Sequence, residues 1–336
     1  MIFHQQPDEK TYQENKKKSL NELLAEFGCD ISWIWIGNAS RRKVTFQIDA
    51  KNRLGFFAPK SHNLIEINDD SLAEKKISDV IPQLKKFLKN QEENLYNQIT
   101  ATLFDNGLDL VFKARRTINF AQNQALINLA KELDCNISYL ANSELEPVLL
   151  LRPNQVFIND LKISLASDIF IQATKSGLEN IIKLIRNSLT PNAKIADIYS
   201  GFGAYCFAIH DLAKSVWAFE GDKKMTDLIS KNATANNLSQ KIKAEMRDLF
   251  FAPLDKKELN NFDCVIINPP RNGAGPQISE IAKSTLKNVI YVSCNPQSFK
   301  RDAKILIDSG FRITSLSAID QFYSTQHLEL VSVFKK

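Results

Sequence analysis

The chain has 336 residues, of which 44% are apolar and 24% are charged, and its net charge at pH 7 is +5. This composition predicts a globular protein of two or three domains, and no apolar run approaches the roughly 20 residues that cross a bilayer. Five widely spaced cysteines without a CxxC pair, and no secretory signal, argue against a disulfide framework and favour a cytoplasmic protein.

The first half of the chain predicts an α+β domain of residues 1–166. Helical spacing of apolar residues predicts helices over 11–27, which Gly28 ends, and over 72–104 and 121–133. The predicted strands cover 31–36, 43–49, 54–57, 108–113, 136–140, 147–151 and 155–164.

Two basic runs lie in this half. The run Lys16–Lys18 is typical of a solvated helix face. The run Arg41–Lys43 lies on a predicted turn, where it is either a phosphate contact or an ordinary exposed turn.

Residues 167–336 show strict alternation of strands and helices, which predicts a parallel, doubly wound α/β sheet of the Rossmann-like type. The predicted helices cover 174–188, 203–212, 222–236, 277–284 and 298–308, and the predicted strands cover 194–198, 215–219, 241–246, 262–267, 288–293, 311–319 and 328–334. No helix separates the last two strands, so we expect an antiparallel hairpin at one edge.

Acidic residues end three successive strands of the predicted sheet. Asp197 precedes a loop with Gly201 and Gly203, which permit a tight turn before a helix. Glu220 ends the second strand, where it can bind ribose hydroxyls, and Asp248 follows the third, where it can accept from an adenine amine. A nucleoside with positive charge and no phosphate matches this pattern, which predicts S-adenosylmethionine as the cofactor.

A cysteine follows the strand 288–293. Ligands bind at such strand ends in open α/β sheets, so Cys294 is a candidate nucleophile, although a lone cysteine is as often a small core residue. The segment from Asn268 to Arg271, with two prolines between them, ends the preceding strand and favours the functional interpretation.

At these residues the chain resembles the RNA uridine-5-methyltransferase family, which makes 5-methyluridine from S-adenosylmethionine. The resemblance rests on the segments 170–173, 197–203, 268–271, 292–296 and 327–329. It implies that Cys294 is the nucleophile and Glu329 the general base, although Glu329 is alternatively a surface acid of an edge strand. It further implies that Asn268 and Arg271 bind the substrate, and that the cofactor site contains Gln172, Tyr199, Gly201, Glu220, Asp248 and Asn268.

The chain departs from the family pattern at several positions, and these departures bear on the identity of the RNA substrate rather than on the type of reaction. Many family members have Asp at the position of Asn268, and many have Asn at that of Ala204. Bacterial members often hold an iron–sulfur cluster on four N-terminal cysteines, whereas this chain has only Cys29 before residue 135, so we expect no cluster. The chain is also expected to begin after the point where an N-terminal RNA-binding β-barrel would lie.

The resemblance implies an RNA partner, with rRNA favoured over tRNA, and we expect a monomer. Four other functions stay open at this point. A tRNA uridine-5-methyltransferase has the same motifs, and a cytosine-5 RNA methyltransferase would place a second cysteine in the Asn268–Arg271 segment. An amino-group methyltransferase would have an aromatic residue in place of Arg271. The last is a non-catalytic RNA-binding relic, which the intact Cys294 and Glu329 argue against.

Overall fold

The computed structural model describes residues 8–59, 61–323 and 325–336. The helices are α1 (Glu9–Leu24), α2 (Lys75–Ser78), α3 (Ile81–Lys89), α4 (Phe120–Glu132), α5 (Lys175–Ser188), α6 (Ala204–Ala208), α7 (Lys223–Ala235), α8 (Lys256–Leu259), α9 (Pro276–Lys283) and α10 (Pro296–Asp308). The strands are β1 (Ser32–Trp35), β2 (Lys43–Ile48), β3 (Leu54–Phe57), β4 (Leu64–Glu66), β5 (Tyr96–Phe104), β6 (Gly107–Ala114), β7 (Asn136–Ala141), β8 (Glu144–Leu149), β9 (Asn154–Ile158), β10 (Leu161–Leu165), β11 (Lys194–Ile198), β12 (Ser215–Glu220), β13 (Ile242–Met246), β14 (Cys264–Ile267), β15 (Asn288–Ser293), β16 (Arg312–Asp320) and β17 (Glu329–Lys335).

The chain forms two compact units. The first comprises Gly37–Phe157 and Ile163–Lys175, and the second comprises the described residues up to Ile36 together with Ile158–Lys162 and Ser176–Lys336. No helix among the described residues is long and apolar enough to cross a membrane.

The first unit contains a seven-stranded sheet in the order β4-β3-β2-β5-β6-β7-β8. The predicted helix over 72–104 is wrong in its last third, where β5 pairs with β2 and β6. Ile99, Thr100 and Thr102 are β-branched and suit this strand. The predicted strand over 155–164 is two strands, β9 and β10, because Asn159 has a positive φ of 51° at the turn between them.

Each basic run contains one buried residue, whereas Lys17 and Lys18 are exposed as predicted. Lys16 is only 7% exposed, and Arg42 only 3% exposed. The Nε of Arg42 donates to the carbonyl of Gln172, and the ammonium of Lys43 donates to the carbonyl of Ile169. The interpretation of Lys16 as part of a solvated face is therefore wrong.

The second unit contains an eight-stranded sheet in the order β1-β16-β17-β15-β14-β11-β12-β13. The strands from β11 to β15 are parallel to their neighbours in this set, whereas β17 is antiparallel to both β15 and β16. The doubly wound sheet with its antiparallel C-terminal hairpin is confirmed. One strand adds to it, because β1 pairs in parallel with β16 and forms the edge.

This pairing divides the chain differently from the predicted boundary at residue 166. The N-terminal segment joins the eight-stranded sheet because Leu20 and Leu24 of α1 are buried in its hydrophobic core. Starting from β11, the strands β12 and β13 are added on one side of the sheet, whereas β14 and β15 are added on the other side. The crevice at the carboxyl ends of β11 and β14 is where such sheets bind ligands.

Candidate active site

The loop after β11 is held against the end of β12. The backbone N–H of Gly201 donates to Oε2 of Glu220 at 2.8 Å, and the N–H of Asp222 donates to Oε1 at 3.0 Å. Gly203 has a φ of 83°, and a Cβ there would lie 3.0 Å from Cγ1 of Ile229. Glycine thus lets α7 approach the loop, and Glu220 joins the loop to the start of that helix.

A buried carboxyl precedes this loop. Asp197 is fully buried, its Oδ2 accepts from the thiol of Cys206 at 3.0 Å, and its Oδ1 has no hydrogen-bond partner among the described residues. Burial, with a smaller contribution from the charge of Glu220, raises the pKa of Asp197 to about 7, although the hydrogen bonds with Cys206 lower it. A cationic ligand beside this carboxyl would favour its charged form. The loop residues therefore fit S-adenosylmethionine.

Two aromatic residues border the same crevice. Tyr199, in a left-handed conformation with φ 59°, donates its hydroxyl to the carbonyl of Ala274 at 3.0 Å. Its ring centroid lies 5.9 Å from that of Phe250. The N–H of Phe250 donates to Oδ1 of Asp248 at 3.0 Å, which fixes the turn after β13. Phe250 was not predicted from the sequence, although its position two residues after Asp248 is a usable signal.

Asn268 lies directly after β14. Its backbone N–H donates to the carbonyl of Ile198 at 3.1 Å, and its Nδ2 lies 3.4 Å from the hydroxyl of Tyr205. The structure therefore places Asn268 next to the end of β11, in the same crevice as the glycine loop.

Cys294 lies directly after β15 and is partly exposed. Burial raises the pKa of its thiol and the charge of Glu329 raises it further, whereas the guanidinium of Arg271 lowers it. The side chain of Asn295 donates to the carbonyl of Arg271 at 2.9 Å, which joins the two loops. Nη2 of Arg271 lies 3.5 Å from Nε2 of His327.

Glu329 begins β17 and is only 3% exposed. Ser293, the last residue of β15, pairs with Leu330, so Cys294 and Glu329 each lie one residue beyond that pair, and the charge of Glu329 acts on the Cys294 thiol. Burial raises the pKa of Glu329 to about 8, although a hydrogen bond from Gln321 and the charge of Arg271 both lower it. The interpretation as an exposed acid of an edge strand is contradicted, because β17 lies between two other strands.

One predicted site residue belongs to the first unit. Gln172 is 7% exposed there, and its carbonyl accepts from Arg42. The other eight belong to the second unit. The place of Gln172 in the cofactor site stays a prediction. Among the described residues, no group of three or more His, Cys, Asp or Glu side chains is arranged to hold a metal ion.

A doubly wound sheet with an antiparallel hairpin, a glycine loop bonded to an acid on the next strand, and a cysteine at the end of β15 define a Rossmann-like methyltransferase. A family model described as tRNA (uracil-5-)-methyltransferase matches residues 8–336, so the chain belongs to that family. It is therefore an S-adenosylmethionine-dependent RNA methyltransferase.

Individual relatives agree with this assignment. An uncharacterised RNA methyltransferase of Zymomonas mobilis is 31% identical over 311 residues, which cover 88% of this chain and 75% of the relative. The 23S rRNA (uracil(1939)-C(5))-methyltransferase of Vibrio parahaemolyticus is 26% identical over an alignment of 339 positions, which covers 96% of this chain and 76% of the relative. The solved structure of Pyrococcus abyssi tRNA (uracil-54, C5)-methyltransferase with S-adenosyl-L-homocysteine has a TM-score of 0.77 and 21% identity, over 96% of this chain and 83% of that chain. This last likeness supports the fold.

Proposed function

We propose that this protein methylates carbon 5 of a uridine in 23S rRNA through a covalent cysteine–uracil adduct. The observation that carries the proposal is that Cys294 directly follows β15 and Glu329 begins the neighbouring strand β17, with the charge of Arg271 acting on both. A nucleophile and a base at the ends of two neighbouring strands can act on adjacent atoms of one pyrimidine ring.

The residues divide the reaction between them. The thiolate of Cys294 adds to carbon 6 of uracil, and the electron pair of the 5,6 double bond becomes nucleophilic at carbon 5. S-adenosylmethionine, when bound, would supply an electrophilic methyl group to carbon 5 and would leave as S-adenosylhomocysteine, whose sulfur keeps the electron pair of the broken S–C bond. Glu329 then removes the proton from carbon 5, the double bond re-forms, and Cys294 leaves as thiolate.

The remaining site residues would bind and orient the uracil and the cofactor. The amide of Asn268 can both donate to and accept from the uracil edge. Arg271 favours the thiolate of Cys294, since it lowers the pKa of that thiol. Glu220 offers further lone pairs to ribose hydroxyls, Asp248 offers an acceptor to an adenine amine, and Tyr199 and Gly201 would line the same site.

The choice of rRNA has support from the Vibrio relative, whose name specifies 23S rRNA. A tRNA target is the second candidate, because the description of the matching family and the name of the Pyrococcus protein both specify tRNA. We further propose that the protein acts as a cytoplasmic monomer without an iron–sulfur cluster.

Mapping of methylated nucleosides tests the proposal. Mass spectrometry of rRNA and tRNA, isolated separately from cells with and without the protein, should show one 5-methyluridine in 23S rRNA that depends on it. Complementation with Cys294→Ala should not restore this nucleoside. Loss of 5-methyluridine from tRNA alone would move the target to tRNA, and loss of 5-methylcytidine would replace the uracil assignment.

A further inference from the structure

A cavity of about 400 Å³ opens beside Cys294 within the second unit. Helix α1 contributes Lys16, Ser19, Leu20 and Leu23 to its wall. The segments 294–297 and 326–328 and the side chain of Arg271 form the rest. Among the described residues that line it, neither Asn268 nor Glu329 is present. The cavity therefore shares Cys294 and Arg271 with the proposed uracil site and extends away from it along α1.

The lining has the chemistry of a nucleotide site. It contains the guanidinium of Arg271 and the imidazole of His327, and no Asp or Glu among its described residues. The charge of Lys16 is balanced by Asp320. Arg271 and His327 are exposed, so both can reach an anion. Leu20, Leu23, Pro296 and Leu328 offer apolar surface, and the amides of Asn295, Gln297 and Gln326 can pair with base edges. The volume lies within the range of about 300–1,000 Å³ that small-ligand sites occupy.

The wall that α1 forms is fixed in place. The ammonium of Lys16 donates to Oδ1 of Asp320 at 2.8 Å and to the carbonyl of His327 at 3.0 Å. The hydroxyl of Tyr12 donates to Oδ2 of Asp320 at 2.7 Å. Because these bonds tie α1 to the loop that carries His327, the cavity is preformed, and ordering it on binding costs little entropy.

We propose that this cavity binds the nucleotide next to the reacting uridine in the RNA chain, with its phosphate at Arg271 and His327 and its base against α1. The inference rests on the proposed function, because the reacting uridine must lie at Cys294. Enzymes that modify RNA bases commonly bind unstacked single-stranded nucleotides, and the neighbour of an extruded uridine is then free to enter a separate site.

The test introduces a large side chain on α1 that fills the cavity, and it leaves the residues with proposed catalytic roles unchanged. Ser19→Trp places a large side chain into the cavity, and Asn15→Trp is the matched control. Both positions are exposed, neutral and one helical turn apart on α1, and of the two only Ser19 lines the cavity. Fluorescein-labelled heptauridylate is the probe for direct binding by anisotropy, and bulk RNA from cells that lack the protein is the probe for methyl transfer.

Ser19→Trp should weaken heptauridylate binding at least tenfold and raise KM for bulk RNA at least tenfold. Its S-adenosylmethionine affinity, measured by calorimetry, should stay within twofold of wild type, which shows an intact fold. Asn15→Trp should change each quantity less than threefold. Binding by Ser19→Trp within threefold of wild type, an equal loss in both variants, or no heptauridylate binding by wild-type protein would each overturn the inference. If the proposed function itself fails, wild-type protein will bind RNA without transferring a methyl group, so that failure can be distinguished from failure of this inference.

Discussion

Lys16 and Asp320 form a salt bridge of 2.8 Å in which the two side chains are 7% and 1% exposed. It joins the N-terminal helix to the end of β16, across almost the whole length of the chain. Burial lowers the pKa of the Lys16 ammonium, whereas the bond to Asp320 raises it. The pair is one reason why a segment at the start of the chain belongs to the catalytic unit.

Removal of this lysine should destabilise the second unit. Lys16→Met keeps much of the side-chain volume but leaves Asp320 as a buried carboxylate without its cation, which typically costs about 3–5 kcal/mol. All three tryptophans of the chain, Trp33, Trp35 and Trp217, belong to the second unit, so urea unfolding followed by tryptophan fluorescence reports on it. Lys18→Met is the control, because Lys18 is 77% exposed. A loss below about 1 kcal/mol, the level of exposed pairs, would show that the bridge contributes little.

Loss of the acid that holds the glycine loop should weaken cofactor binding. Glu220→Ala removes the acceptor of the Gly201 N–H and of the proposed ribose bonds. We expect S-adenosylmethionine affinity to fall by about 1.5–3 kcal/mol, the scale of hydrogen bonds to a charged group. Calorimetry measures the change, with Asp227→Ala on the exposed face of α7 as the control. Wild-type affinity in Glu220→Ala would remove this residue from the cofactor site.

Substitution of the nucleophile should separate chemistry from cofactor binding. Cys294→Ser should abolish methyl transfer, because a serine hydroxyl is almost wholly protonated at neutral pH. Its S-adenosylmethionine affinity should stay within about twofold of wild type, since the cofactor site is built from other residues. Cys29→Ser, at another partly exposed cysteine, is the matched control and should retain activity. Multiple turnover by Cys294→Ser would exclude Cys294 as the nucleophile.

The purified protein should contain no iron, even when it is prepared without oxygen. The reason is the cysteine count, because only Cys29 precedes residue 135 and a cluster of the family type needs four cysteines. Metal analysis and visible absorbance of protein from iron-supplemented cells measure this directly. Stoichiometric iron together with broad visible absorbance would contradict the expectation.

The sequence predicted the features that local patterns determine. Apolar runs that end in Glu220 and Cys294 predicted both strand ends, since parallel strands in a covered sheet read as continuous apolar segments. The features it did not predict depend on distant partners. Residues 96–104 become a strand through pairing with β2 and β6, and Lys16 is buried because Asp320 accepts from it. The burial of Glu329 likewise follows from the position of β17 inside the sheet, which no local pattern reveals.

The general base gives the most direct test of the mechanism. If Glu329 removes the proton from carbon 5, Glu329→Gln should stop the reaction after methyl transfer and before release of Cys294. A covalent protein–RNA adduct that carries the methyl group should therefore accumulate. Burial raises the pKa of Glu329 to about 8, so a growing fraction is ionised as the pH rises towards 8. In the wild-type enzyme kcat/KM should accordingly increase between about pH 6 and 8, because only the ionised carboxylate accepts a proton.

Denaturing electrophoresis with methyl-labelled cofactor and bulk RNA tests whether the adduct accumulates when Glu329 is replaced. Glu329→Gln should give a labelled, slowly migrating band, and the double variant Glu329→Gln with Cys294→Ala should give none, because the adduct needs the thiol. Gln is the matched substitution, since it keeps the size of the buried side chain and removes only the titratable oxygen. Normal turnover by Glu329→Gln without an adduct would assign the proton to another group. His327 is then the first to examine, since it lies two residues away and its Nε2 is 3.5 Å from Arg271.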